Sequence, residues 1–155
     1  MYARVATAHG PDALTSAPAT PNSGRGTVTL VDRRHEKRLT VNVWDGQSRE
    51  RDTYDVNVLQ LLRPGDARFA RVTVHHGDRM RDVSPSPLVT LEGLAGTMML
   101  IDRSSGRGLG FIFFDSAEAM RRGDEIVTDA DPGTAGRATS VELYEVVDLS
   151  LHSDP

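Results

Sequence analysis

Two adjacent histidines, His75 and His76, are the residues of this chain best suited to moving a proton. They close the run 68–76, RFARVTVHH, whose alternating apolar residues read as a strand. Neighbours on a strand point to opposite faces, so the two rings cannot chelate one metal ion together. One of them can face a pocket as a general acid–base group or a ligand anchor. The competing reading is a pair of strand-end histidines near solvent. His76 falls on the face of Ala70, Val72 and Val74, and His9 is its counterpart in the run 1–9, MYARVATAH. Tyr144 adds a phenolic hydroxyl in LYEV, matched by Tyr54 in TYDV. Trp44 and Phe114 can stack on a flat ligand, although core or inter-sheet packing is the simpler reading. Met120 can add apolar contact beside Phe114. Glu142 and Glu145 point to opposite faces of their strand and form no carboxylate pair. The sequence holds no G-x-G-x-x-G, Walker loop, H-E-x-x-H or nucleophile elbow.

The elements that must position these residues come from a stretch that occurs twice. Residues 26–45 read GTVTLVDRRHEKRLTVNVWD, and residues 96–115 read GTMMLIDRSSGRGLGFIFFD, at a constant offset of 70. Each reads as strand, charged turn, strand. Leu39, Val41 and Val43 alternate with Thr40, Asn42 and Trp44; Leu109, Phe111 and Phe113 alternate with Gly110, Ile112 and Phe114. Gly106 can take the positive φ of a tight connection, and the first copy has no glycine there, which predicts a different turn. Asp32-Arg33 and Asp102-Arg103 read as turn-ordering, solvated pairs.

Two further matches extend the pattern. Residues 2–5 match 69–72 at an offset of 67, and 53–61 match 143–151 at an offset of 90. The rise from 70 to 90 places about twenty extra residues between the third and fourth strands of the second copy. These predict a helix near 115–129, with Asp115 as N-cap, Glu118 closing a capping box, and Gly123 weakening the middle. Residues 46–52, GQSRERD, predict only a turn in the first copy. Three prolines in 10–25 argue for an irregular crossover there, and Pro85 and Pro87 interrupt 77–95.

At 155 residues the chain makes one domain or two very small ones. Its net charge of −4, with arginines interleaved among acids, argues against a nucleic-acid face. The absence of cysteine excludes disulfides, thiolate nucleophiles and thiolate-held metals. No apolar run reaches membrane-spanning length. A cytoplasmic protein is expected.

Several of these motifs resemble the antibiotic-biosynthesis-monooxygenase-like proteins. They are YARV at the start, L-(V/I)-D-R before each turn, an aromatic-Asp closing the third strand, SAEAM opening the helix, and VELYEV in the last strand. The resemblance implies an α+β fold of tandem ferredoxin-like repeats, of the dimeric α+β barrel type. The units would be 1–66, lacking helices, and 67–155, with its helix near 115–129. The family includes cofactor-independent oxygenases of aromatic polyketides and haem-degrading enzymes. The resemblance therefore implies oxidation or binding of a small aromatic compound. The expected pocket lies between sheet and helix in the second unit. Phe114 or Met120 would supply apolar contact there, and His75, His76 or Tyr144 the polar anchor. No metal, flavin or haem is expected, because the histidines are poorly spaced and no dinucleotide loop is present. The alternative is a non-catalytic interaction module, pairing with a protein partner or another copy through an uncovered sheet face around Asn42 and Trp44.

Overall fold

The computed structural model describes residues 1–15, 24–46, 53–76, 91–130 and 138–151. The alternating segments become eight strands: β1 (Tyr2–His9), β2 (Gly26–Asp32), β3 (Lys37–Trp44), β4 (Tyr54–Leu61), β5 (Phe69–His76), β6 (Leu94–Asp102), β7 (Arg107–Phe114) and β8 (Ala138–Leu149). All neighbours are antiparallel, and the order β1-β3-β2-β8-β5-β7-β6-β4 closes on itself. The closing contact pairs Tyr2 with Asp55 and Ala3 with Tyr54. Closure removes the exposed edges that an open sheet would present.

Within the ring, β4-β1-β3-β2 is followed by β8-β5-β7-β6. Two seams join these runs, β2 with β8 and β6 with β4. Each seam carries a register shift, between Thr29 and Leu30 and between Val56 and Val58. A bulge increases local bend and twist, which a barrel wall needs where it turns.

Period two sends one face of every strand inward. Leu30, Val41, Met98, Leu100, Phe111, Phe113 and Tyr144 are among the side chains buried there. Each large one contributes about 1.5–3 kcal/mol by leaving water. A second apolar layer lies outside the barrel. There α2 (Ala117–Ala130) packs on β5 and β7 through Ala119 and Met120, against Leu91, Leu94, Ile112 and Phe114. Gly123 belongs to this contact. A Cβ at that position would stand 2.5 Å from the Phe114 ring. The glycine thus admits the ring, and the helix continues through it for 14 residues.

The helix starts one residue later than the capping-box reading places it. Ser116 is the N-cap, its Oγ accepting the Ala119 N–H at 3.1 Å. Asp115 instead donates its backbone N–H to the Gly93 carbonyl at 2.9 Å and turns its carboxylate to Arg63 at 3.4 Å. Glu118 pairs forward with Arg122 at 3.0 Å. Ser116→Ala should therefore cost about 1 kcal/mol, the usual worth of a capping hydroxyl. Denaturant unfolding of this variant beside the wild type measures the loss.

The two hairpin turns are closer to one another than the missing glycine suggests. Glu36 takes φ of 49°, and Gly106, 70 residues on, takes 74°. Asp32 orders the first turn by accepting the N–H groups of Arg34 and His35, at 3.1 and 3.3 Å. Asp102 orders the second through Ser104 and Ser105. The following arginines reach across the seams, Arg33 to Glu145 and Arg103 to Asp55. These exposed pairs are worth little in stability. The one-turn helix α1 (Pro11–Thr15) occupies the start of the first crossover. Most of the rest of that crossover, of the expected turn at 46–52 and of the proline-interrupted run 77–95 falls outside the described residues.

Candidate ligand-binding site

Both hairpin turns lie at one end of the barrel, where β1 and β5 finish and β3, β4, β7 and β8 begin. The inward alternation leaves a cavity of about 250 Å³ there. Val5, Leu39, Tyr54, Val72, Val74 and Leu109 give it apolar walls. Thr7, Lys37, Arg107, Ser140 and Glu142 supply its polar atoms. The volume is about eight waters' share of liquid. It lies below the roughly 300 Å³ at which drug-sized sites begin. The volume matches a single-ring molecule.

One charged network is built into the wall. Lys37 Nζ donates to both oxygens of Glu142, at 2.7 and 2.9 Å. From beneath, the buried Tyr144 hydroxyl donates to Glu142 Oε2 at 2.5 Å. Burial pushes the Glu142 carboxyl upward, but the bonds from Lys37 and Tyr144 outweigh it and hold the group below its ordinary value. Tyr144 moves far the other way. Its burial and its bond to a carboxylate raise it well above the usual phenol. Glu142 is thus a fixed anion and Tyr144 a fixed neutral donor. The pair fixes the position of the Lys37 ammonium.

The six residues nominated from sequence do not converge. Tyr144 stands under the cavity floor. His76 ends β5 with its backbone in register with Arg107, at the cavity end, while its side chain lies outside what is described. His75 is on the other face, with Nε2 2.9 Å from the Thr73 hydroxyl. Phe114 and Met120 are buried beneath α2, in the interface expected to hold a pocket, which their side chains and those of Leu91, Leu94 and Ile112 occupy. Trp44 sits half-buried at the far end of β3, opposite Tyr2.

The face around Trp44 and Asn42 is not uncovered as the interaction reading supposes. Asn42 accepts the Thr27 hydroxyl at 2.9 Å. Thr27, Thr29 and Arg38 on that face are buried, and Arg38 donates to the Ala13 carbonyl of α1 at 3.3 Å.

Lys37 and Arg107 were not singled out by type or spacing, and Tyr54 and Glu142 were weighed only as the match of Tyr144 and as half of a carboxylate pair. Two signals point to them. Lys37 and Arg107 occupy the same place in the 70-residue offset, each opening the strand after a turn. Glu142 stands two residues before Tyr144 and therefore shares its inward face.

An α+β protein of the ferredoxin fold, closed as an eight-stranded barrel on one chain, is the class that this arrangement defines. Its particular likenesses are among solved structures. A heme-degrading enzyme from Listeria monocytogenes, LmHde, superposes with a TM-score of 0.62 at 14% identity, over 94% of this chain and 99% of that one. A major regulator of staphylococcal pathogenesis gives 0.61 at 8% identity, over 94% and 98%. A ferredoxin-fold protein related to antibiotic biosynthesis monooxygenases, also from L. monocytogenes, gives 0.58 at 12% identity, over 96% and 95%. The fold thus agrees with the resemblance read from the strand motifs. No protein-family model matches the chain, and no curated protein matches it. Among the described residues no helix is long and apolar enough to cross a membrane.

Proposed function

We propose that this chain is an antibiotic-biosynthesis-monooxygenase-like protein that binds a small aromatic compound in the barrel-end cavity. The observation that carries the reading is a space of single-ring size, lined by both apolar and polar side chains, with a fixed Lys37–Glu142–Tyr144 network in its wall. Apolar walls take the ring, and a few fixed polar groups set its orientation. The same network supports binding over cofactor-independent oxidation. Oxidation of a phenol without a cofactor needs a base to form the substrate anion. Glu142 is held ionised by two donors, and no histidine is among the described lining residues. If turnover occurs, His76, at the same barrel end, is the group we assign as base. We also propose that the chain is a duplicated unit, 1–66 and 67–155. The matching strand orders of the two runs and the paired turns at Glu36 and Gly106 support this.

Val74→Trp tests the site by filling the cavity from its wall. Calorimetric titration with phenols, benzoates and phenylacetates should give binding to the wild type and none to the variant, with both proteins folded by circular dichroism. Equal binding by both would remove the cavity as the site.

A second reading, a non-catalytic association module, has one observation in its favour. Val141, Leu143 and Val147 on β8 are 38–52% exposed, a row of apolar side chains in contact with water. Sedimentation velocity should then show a concentration-dependent dimer or larger species that Leu143→Glu disperses. A monomer at all concentrations and in cell extract would end this reading.

A further inference from the structure

The donors and acceptors around the cavity are unequally used, and the imbalance selects a ligand. Among the described lining residues the only carboxylate, Glu142, already accepts three hydrogen bonds, two from Lys37 and one from Tyr144. A carboxylate offers about four lone-pair sites, so little acceptor capacity is left for a ligand. The donors are in the opposite state. Among the described residues, the side chains of Thr7, Tyr54, Arg107 and Ser140 make no hydrogen bond or ion pair with the protein.

Arg107 matters most, because its charge has no partner there. Asp102 faces it across the hairpin but directs its oxygens to Ser104 and Ser105. Asp32, the matching partner of Lys37, is held by the His35 ring at 2.6 Å and by two backbone N–H groups. The mouth carboxylates are therefore engaged, and a planar guanidinium with five N–H groups stands over a cavity whose described lining offers it no free carboxylate, only neutral hydroxyls.

We infer that the molecule bound here is a small aromatic carboxylate, its ring between Val5, Leu39, Val74 and Leu109 and its carboxylate on Arg107. This rests on the cavity being the ligand site. A forked guanidinium and a carboxylate match in geometry, and two parallel bonds favour that group over neutral isosteres.

The test is titration of the full chain with matched pairs, benzoate against benzamide and phenylacetate against phenylacetamide, at neutral pH. The carboxylates should bind about tenfold more tightly or better, the effect of charge-assisted bonds in a partly exposed site. Arg107→Gln should erase the preference by weakening carboxylate binding more than amide binding, and Arg107→Lys should restore part of it. Amides that bind as tightly as carboxylates would overturn the inference and leave the cavity reading standing. So would a preference that survives in Arg107→Gln. Failure of all four compounds to bind the wild type at millimolar concentration would overturn the cavity reading, and the inference with it.

Discussion

Gly26→Ala should destabilise the protein by about 3 kcal/mol or more, a large share of the 5–15 kcal/mol typical of a domain. Gly26 opens β2 at φ of 135°, where an L side chain is strained. A Cβ there would lie 2.0 Å from the Ser150 carbonyl oxygen and 2.9 Å from the Leu151 Cα. Both are backbone atoms of the chain leaving β8, so no rotamer change relieves the contact. The strands would have to part at the seam, where Ser150 N–H bonds the Thr27 carbonyl at 2.9 Å and Leu151 enters the core. Gly96 holds the matching place at the other seam. Its Cβ would meet the Gln60 carbonyl at 2.9 Å and the Leu61 Cα at 3.2 Å, and its φ is not left-handed. Gly96→Ala should therefore cost less than Gly26→Ala. Gly65→Ala, with nothing within 4 Å, should stay within about 0.5 kcal/mol of wild type. Urea unfolding of the three variants gives the ranking. Equal midpoints for Gly26→Ala and Gly65→Ala would refute the seam account.

Tyr144→Phe should cost about 1.5–3 kcal/mol near neutral pH, since it removes a hydroxyl bonded to a carboxylate. The value should fall toward the lower end, because the Glu142 side chain is 36% exposed and solvent screens the loss. The pH dependence is more diagnostic. Glu142 lies below its ordinary value of 4.5 in the folded protein. Its contribution is therefore complete above that value and is lost as the pH falls through the folded one. Asp32 and Asp102 are also lowered, so the wild type loses stability in acid for more than one reason. The difference between wild type and Tyr144→Phe isolates Glu142. It should be largest at neutral pH and shrink below about 4.5. A difference that stays constant from pH 7 to pH 3 would mean that the hydroxyl does not stabilise the ionised carboxylate.

The strands were legible because half-buried strands alternate, as β3 does from Leu39 to Trp44, whereas β2 is buried on both faces and was legible from its β-type apolar residues. The helix after β7 was legible from its length and its small and apolar spacing. Its cap was not. Asp115 and Ser116 are both good caps, and the choice was made by Gly93 and Arg63, more than twenty residues away in sequence. Gly123 looked like a helix defect because the Phe114 ring that needs its space belongs to another element. The turn at Glu36 shows the limit of reading conformation from residue type. Asp32 fixes the preceding residues, and a non-glycine then accepts the left-handed position. The cavity was least legible. Lys37 and Glu142 are 105 residues apart and meet only because β2 and β8 close the barrel beside them. Phe114 and Met120 drew attention as large apolar residues, yet an outward-facing strand position and the helix residue that covers it need the same residue types for packing.

The measurement that bears most directly on the barrel-end site is a set of intermolecular nuclear Overhauser effects. The protein would be methyl-labelled and saturated with a bound aromatic ligand. Ligand ring protons should show contacts to the methyl groups of Val5, Leu39, Val72, Val74 and Leu109. Contacts to Met120 and Leu94 beneath α2, with none to the barrel interior, would contradict the account.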